Sequence, residues 1–498
     1  MFPNFDIQAV IIATGNTPKM ALNRHTLTKK LLGKELILHQ ANIFFSNKIK
    51  TTIVIRHEDK DALTTLIENK YPNYFTFVII KKNHGSGNAF LATSKHWDSN
   101  NIFVSFAHMP LLDIKLLLHL YHSNKKIVHT FLENASSPNN SHPLFSYTDI
   151  LNDQKLTYLD DKIKCKNPIN NKSLMDSGVY IFKKEFLNKH EKTLSEKPFN
   201  STCNMSDIIN LALQKEAKQT IAITSPSNDA HCLLPADCVN NFDYIEKFLQ
   251  HKVIENLKAS GVIFERNSIS TIDVDVEIGK HTTIAGNTTI TAGTKIGKNC
   301  SIKDAIIENS TIEDNVTIKP HSVIYNSIIK KNSIVGPFAH VHSKSEIGPN
   351  AQIGNFVEVK NSIIGNSSKA KHLAYIGDTT AESNVNFGAG NVVCNFDGKK
   401  KHKTIIKKNA FIGSNSTLIA PIKIEENAFI AAGSTITQDV PANSLAIARK
   451  KQENKADYTK KVNLNKKTNC SSKKEGKAKK NDNDAYFIPA QKTFDKAL

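Results

Sequence analysis

Aromatic and sulfur-bearing residues are scarce in this chain: its 498 residues include one Trp, five Met and seven Cys, and Phe, Tyr and Trp together make up 7%. The cysteines, at 165, 203, 232, 238, 300, 394 and 470, form no Cys-x-x-Cys pair and no His-Cys cluster at ligand spacing, which argues against a zinc module or a disulfide scaffold and for free thiols. Long apolar runs are missing too. None approaches the roughly 20 residues that span a bilayer, so no membrane span is expected. The first residues, Met1 to Asp6, carry no basic segment and lead into Ala9-Val10-Ile11-Ile12, which reads as a buried strand and not a signal peptide; a cytoplasmic location is the expectation.

Acidic residues fall short of basic ones, 46 Asp plus Glu against 65 Lys plus Arg, for a net charge of +19. That balance invites a nucleic-acid partner. Residues 450–498, however, hold 14 Lys against six acidic residues, with few aromatics and no reader motif. Much of the excess therefore sits in a tail that reads as a solvated, disordered extension, and no specific nucleic acid is expected.

What the chain does have is a repeat. Ile272, Ile278, Ile284, Ile290, Ile296 and Ile302 recur every six residues; after a slip the series resumes at Ile306, Ile312, Ile318 and Ile324, then at Ile328 and Ile334. Val341, Ile347, Ile353 and Val359 continue it, and Ile406, Ile412, Leu418, Ile424, Ile430 and Ile436 close it. A helix needs apolar positions three and four apart and an ordinary strand every second one, so a period of six fits neither. It fits a triangular parallel β-helix whose aliphatic residues point inward, a fold whose sides commonly pack on other copies of the chain.

The first half alternates β-rich runs (Ala9 to Thr14, Thr52 to Arg56, Phe75 to Ile80, Asn101 to Phe106, Lys126 to Phe131) with helix-like segments such as Leu27 to Phe45 and Lys60 to Lys70. This predicts an α/β domain with a mainly parallel sheet and a ligand at the carboxyl ends of its strands. Asp237 to Ser260 reads as an amphipathic connecting helix.

Between Lys360 and Lys403 the aliphatic period fails and polar groups gather: Lys360, Lys369, His372, Tyr375 and Asn386. A histidine in such a setting suits proton transfer. The motifs Gly336-Pro337-Phe338-Ala339, Gly354-Asn355-Phe356-Val357-Glu358-Val359-Lys360, His372-Leu373-x-Tyr375-x-Gly377-Asp378, Gly388-Ala389-Gly390, Cys394-Asn395-Phe396-Asp397-Gly398 and Ala431-Ala432-Gly433-Ser434 resemble those of the bacterial bifunctional enzymes that make UDP-N-acetylglucosamine, in which a glucosamine-1-phosphate N-acetyltransferase is joined to an N-acetylglucosamine-1-phosphate uridyltransferase. The resemblance runs over nearly the whole chain.

It implies an α/β, Rossmann-like nucleotidyltransferase domain over 1–236, a linker helix over 237–260, a left-handed parallel β-helix of hexapeptide repeats over 261–449, and a basic tail over 450–498. It implies that His372 is the general base, that His342, Lys360, Tyr375 and Asn386 bind the sugar phosphate, and that Ala389, Asn395, Phe396, Ser414, Ala432 and Arg449 meet acetyl-CoA, the co-substrate. It also implies a homotrimer with acetyl-CoA sites between subunits, and a product that feeds peptidoglycan and, where present, lipopolysaccharide. Two positions depart from the pattern: His342 stands for an Arg and lacks its permanent charge and fork, and Phe396 stands for a Tyr.

The N-terminal departures are larger. The resemblance places nucleotide-sugar contacts at Ala13, Thr14, Gly15, Gly85, Ser86, Asp161 and Asp176, and Mg²⁺ at His108 and Asp237. The opening turn, Ala13-Thr14-Gly15-Asn16-Thr17-Pro18-Lys19-Met20, lacks one of the family's glycines, and Pro18 removes a donor. His25-Thr26 replaces a Pro-Lys pair, and Ala107-His108-Met109-Pro110 replaces the Asp that holds Mg²⁺, for which imidazole is a poor substitute. The expectation is an active acetyltransferase with UTP and N-acetylglucosamine-1-phosphate chemistry weakened or lost. The alternative is a non-catalytic sugar-nucleotide-binding or scaffolding descendant.

Overall fold

A computed structural model describes residues 6–14, 26–81, 85–122, 127–133, 157–159, 162–164, 174–195, 202–216, 220–224, 230–266 and 268–461. The first half is built on strands β1 (Ile7–Ala13), β2 (Thr51–Arg56), β3 (Thr76–Ile80), β4 (Asn101–Phe106), β5 (Ile127–Glu133), β6 (Leu174–Lys183) and β7 (Thr220–Thr224). Their order is β7-β5-β6-β4-β1-β2-β3, parallel except for β6, which runs antiparallel to both neighbours. Helices α1 (Leu36–Ser46), α2 (Lys60–Lys70), α3 (Ser86–Leu91), α4 (Ile114–His122), α5 (Lys184–Ser195) and α6 (Met205–Lys215) accompany the sheet. Unbroken apolar runs such as Ala9-Val10-Ile11-Ile12 form strands buried on both faces. Phe44, Phe90, Phe103, Phe182 and Phe186 fill the core, each side chain contributing roughly 1.5–3 kcal/mol by leaving water.

The helix expected over Leu27–Phe45 is shorter. Lys30–Leu31 and Lys34–Glu35 instead pair as a tight hairpin across Leu32 (φ +45°) and Gly33 (φ +77°). Two successive positive φ values suit the right-handed twist of a two-residue hairpin and interrupt a helix. The hairpin tip meets the second half of the chain: Val274 N donates to Leu32 O at 3.3 Å, and a Cβ on Gly33 would lie 2.2 Å from Asp273 Oδ2. Helix α7 (Val239–Ala259) bridges the same two halves. Its start packs Phe242 and Ile245 with Leu31, Leu36, Leu111 and Leu234, while Val253 and Leu257 reach the core of the second half.

That second half is a parallel β-helix built mostly of two- and three-residue strands. One face alone stacks nine strands, from Glu277–Ile278 to Ile422–Ile424. Ile296, Ile312, Ile329, Ile347 and Ile364 stand above one another in register and are buried. Corners need left-handed backbone, which Asn tolerates better than most residues. Asn332, Asn350, Asn409, Asn427 and Asn443 take it, and their amides bond from coil to coil at 2.9–3.2 Å.

The repeat register needs correction at three positions. Ile306 and Ile328 are 47% and 41% exposed and Ile334 is half-buried, while Ile307, Ile329 and Val335 are the residues that point inward. The corners at Asp304, Asn309, Asn326, Asn361 and Asp378 are one residue shorter than the others, so there the buried position arrives after five residues instead of six. The β-helix also continues through the polar stretch from Lys360 to Lys403, where Ile364, Ala370, Ile376, Ala381, Phe387 and Val393 are all buried. Ala370 pairs in register with Phe387, so a small residue accommodates a large one and the aliphatic pattern is masked. Only the loop from Phe396 to Lys403 leaves the coil, closed by a bridge between Phe396 and Lys401. Beyond the β-helix, the described part of the tail contains one short helix, Tyr458–Lys461.

Candidate functional site

Two strands in the β-helix are unusually long, Gln352–Lys360 and Lys369–Gly377. Their register aligns Asn355 with His372, Glu358 with Tyr375 and Lys360 with Gly377, and the preceding coil aligns His340 with Glu358 and His342 with Lys360. Residues 17 or 18 positions apart in sequence are therefore neighbours on successive coils.

His372 is exposed, and its Nδ1 lies 2.8 Å from Asn355 Oδ1. An amide oxygen only accepts, so Nδ1 carries the proton of the neutral ring and Nε2 keeps its lone pair. Tyr375 is half-buried and folds over Gly377: a Cβ there would sit 2.7 Å from Tyr375 Oη and 2.6 Å from Asn395 Nδ2. The glycine brings these two polar groups together. Asn395 is buried and donates to the Asp378 carboxylate. Asn386 is half-buried and aligned with Lys369 on the coil before it.

His342 is nearly buried. Its Nε2 lies 3.1 Å from Glu358 Oε1 and its Nδ1 2.9 Å from Ser343 Oγ. Its ring stacks on that of His340 at 4.1 Å and on Tyr325 at 5.4 Å. Burial, followed by the neighbouring His342, holds the His340 imidazole below its ordinary pKa; Glu358 opposes the shift and Lys360 adds to it.

The expected acetyl-CoA positions fall along a later edge. Asn415 N donates to Ala389 O at 2.7 Å and Gly433 N to Ser414 O at 2.8 Å, while a Cβ on Gly413 would lie 2.5 Å from Ala432 N. Ala389, Ser414 and Ala432 thus occupy successive coils; Ser414 and Ala432 are exposed, as is Phe396 on its loop. Arg449 begins a separate compact unit and is exposed.

In the first half, Ala13 and Thr14 are buried at the end of β1. Gly15 and Asp161 lie outside the described residues. Asp176 pairs with Phe131 in the β6–β5 ladder. Gly85 has φ +101°, and a Cβ on it would lie 2.4 Å from Cys203 O; Ser86 Oγ accepts from Met205 N at 3.0 Å. The Gly85-Ser86-Gly87 turn is therefore packed against the start of α6. His108 and Asp237 are neighbours: Ala236 N donates to His108 O at 2.7 Å, and Asp237 Oδ1 accepts from Asn241 Nδ2 at 2.8 Å. His108 keeps part of its surface accessible, yet desolvation holds its imidazole below the ordinary pKa, with the charge of Asp237 opposing.

Asn355, Glu358, Gly377 and Asp378 lay inside motifs quoted from the sequence without being given roles, and His340 was not singled out at all. The alternation His340-x-His342 on a strand was the available signal, since it sets both rings on one face.

A β-helix of six-residue sides carrying a histidine-bearing edge, set behind an α/β sheet, defines a hexapeptide-repeat transferase. The bacterial transferase hexapeptide family (six repeats) matches residues 326–361 and 403–438. The whole chain is 35% identical over 462 residues to the bifunctional protein GlmU of Thermodesulfovibrio yellowstonii, covering 91% of this chain and 99% of that one. It is 33% identical over 467 residues to that of Clostridioides difficile (92% and 98% covered) and 31% over 477 residues to that of Alkaliphilus metalliredigens (93% and 100% covered). The chain belongs to the bifunctional GlmU family. Among the described residues no helix is long and apolar enough to cross a membrane.

Proposed function

We propose that the β-helix half transfers the acetyl group of acetyl-CoA to the amine of glucosamine-1-phosphate, in UDP-N-acetylglucosamine biosynthesis in the cytoplasm, and that uridyl transfer from UTP to N-acetylglucosamine-1-phosphate in the first half is weak or lost. The observation that carries the first part is the His372–Asn355 pair at 2.8 Å, which in the neutral ring keeps the proton on Nδ1 and the lone pair on Nε2.

An amine is largely ammonium near neutral pH and inert until deprotonated. His372 Nε2 takes its proton as the nitrogen bonds to the thioester carbonyl carbon; the C–S bond then breaks, and the CoA sulfur leaves with a proton returned to it. A positioned imidazole contributes about 100- to 10,000-fold. Lys360 neutralises the sugar phosphate, with His342 beside it where the family has an Arg; Tyr375 and Asn386 bond the sugar. Ala389, Asn395, Phe396, Ser414 and Ala432 line the path of acetyl-CoA.

The functional unit is a homotrimer. Support comes from aromatic ladders facing outward on the single chain: Phe338 on Phe356 at 5.3 Å and Phe411 on Phe429 at 4.4 Å, all exposed. The reading of the first half is supported by the donor set at His108 and Asp237. One imidazole and one carboxylate, the latter already bonded by Asn241, do not suit Mg²⁺, which takes oxygen ligands in octahedral geometry.

Two assays on the full chain test this. Free CoA release from acetyl-CoA and glucosamine-1-phosphate is expected, abolished by His372→Ala. Pyrophosphate release from UTP and N-acetylglucosamine-1-phosphate with Mg²⁺ is expected to be marginal; an ordinary enzymatic rate overturns the second half of the proposal, and no CoA release overturns the first.

A further inference from the structure

His340, His342 and Glu358 each offer a ligand atom, and the three atoms lie within 4.8 Å of one another. We propose that these residues bind a divalent first-row transition cation of the zinc class, which supplies positive charge beside Lys360 on the edge where the sugar phosphate binds. The phosphate part rests on the acetyltransferase reading above; the cation site does not.

The local fold makes the cluster. Val341 points into the core, so the two histidines flanking it on the same short strand both face outward. The next coil sets Glu358 in register with His340. The result is two imidazole nitrogens and one carboxylate oxygen, a set that suits zinc or iron(II) and leaves coordination positions open. Donors at about 2.05 Å around a tetrahedral ion stand about 3.3 Å apart. His342 Nε2 and Glu358 Oε1, at 3.1 Å, already have that separation. His340 and Glu358 are only partly covered, so rotation of their side chains can close the remaining gap.

The support around the cluster is of the kind metal sites use. Ser343 Oγ holds His342 Nδ1 at 2.9 Å, which fixes the ring and directs Nε2 toward Glu358. The two rings stack at 4.1 Å, which holds both on the same outer edge. Lys360 aligns with His342 and opposes a bare cation; Glu358 offsets it, and a phosphate between ion and ammonium is attracted by both. The ion thereby replaces the fixed charge that a guanidinium supplies elsewhere in the family.

The test is equilibrium dialysis of the full chain against Zn²⁺ with elemental analysis, comparing wild type with His340→Gln, Glu358→Gln and the double variant. Zinc taken up by the seven cysteines is common to all four proteins and cancels. The wild type is expected to hold one zinc per chain more than the double variant, each single variant binding that zinc at least tenfold more weakly. Equal zinc content in wild type and double variant at every free zinc concentration overturns the proposal. Both substituted side chains are outside the core, and elution as the wild-type oligomer checks the fold of each variant. No substrate is present, so an inactive chain that holds the extra zinc sinks only the acetyltransferase reading.

Discussion

Removing Asn355 separates the acid–base role of His372 from its mere presence. The Asn355 Oδ1 contact, 2.8 Å from His372 Nδ1, is one hydrogen bond on an exposed edge, worth about 0.5–1.5 kcal/mol. If that energy serves to orient the ring and hold the proton on Nδ1, Asn355→Ala costs about 2- to 12-fold in kcat, since 1.36 kcal/mol is one decade. His372→Ala costs about 100- to 10,000-fold. Asn355→Asp keeps the acceptor and adds a negative charge, which favours the imidazolium and moves the basic-form limb of the kcat profile to higher pH. The assay is CoA release at saturating glucosamine-1-phosphate across pH 5 to 9, with KM followed separately. Unchanged kcat in Asn355→Ala, or an unmoved limb in Asn355→Asp while His372→Ala is inactive, refutes the positioning role.

Three further outcomes follow from the same geometry. A Cβ on Gly354 would lie 1.9 Å from Lys371 O, so Gly354→Ala pushes apart the two strands that carry Asn355 and His372; it is expected to lower both the urea midpoint and kcat, and a stable, active variant contradicts the close approach. His108→Asp sets a second carboxylate beside Asp237 and creates an oxygen site, so the variant should gain a Tm that rises with Mg²⁺ while the wild-type Tm stays indifferent; a wild-type rise contradicts the donor argument. His402, followed by the backbone amides of Lys400 and Lys399, holds the Asp397 carboxyl down at about 2. This contribution to loop order is present above the ordinary carboxylate range and fades as pH falls toward 2; a carboxyl NMR titration with its midpoint near 4 contradicts it.

The β-helix was legible because its core obeys one rule that survives in the residues: an aliphatic side chain at every inward position. The rule failed to be read at Ile306, Ile328 and Ile334, since two adjacent isoleucines, such as Ile306-Ile307, do not say which one faces in. That choice is made by the length of a corner, and corner length follows backbone conformation at Asp304 and Asn326. Asn at the left-handed corners has a structural cause in the backbone conformation it tolerates and in the side-chain ladders it forms. His340 and Glu358 stayed hidden for a different reason. They are 18 residues apart, and only the coil register makes them partners.

The same register makes the two halves differ in how their outward positions are held. On the β-helix, inward residues hold the scaffold, so a change of side chain at position 342 leaves the inward Val341 and its neighbours in the core undisturbed. The edge can acquire a new charge carrier without loss of fold. In the first half, His108 sits at the end of β4 and Asp237 just before α7, whose own residues Phe242 and Ile245 pack with Leu31, Leu234 and Ala236. Ala236 in turn bonds to His108 O. A substitution at His108 or Asp237 is felt by the packing between sheet, hairpin and bridging helix. A change there is therefore coupled to several neighbours at once, whereas a change on the outer edge of the β-helix stays local.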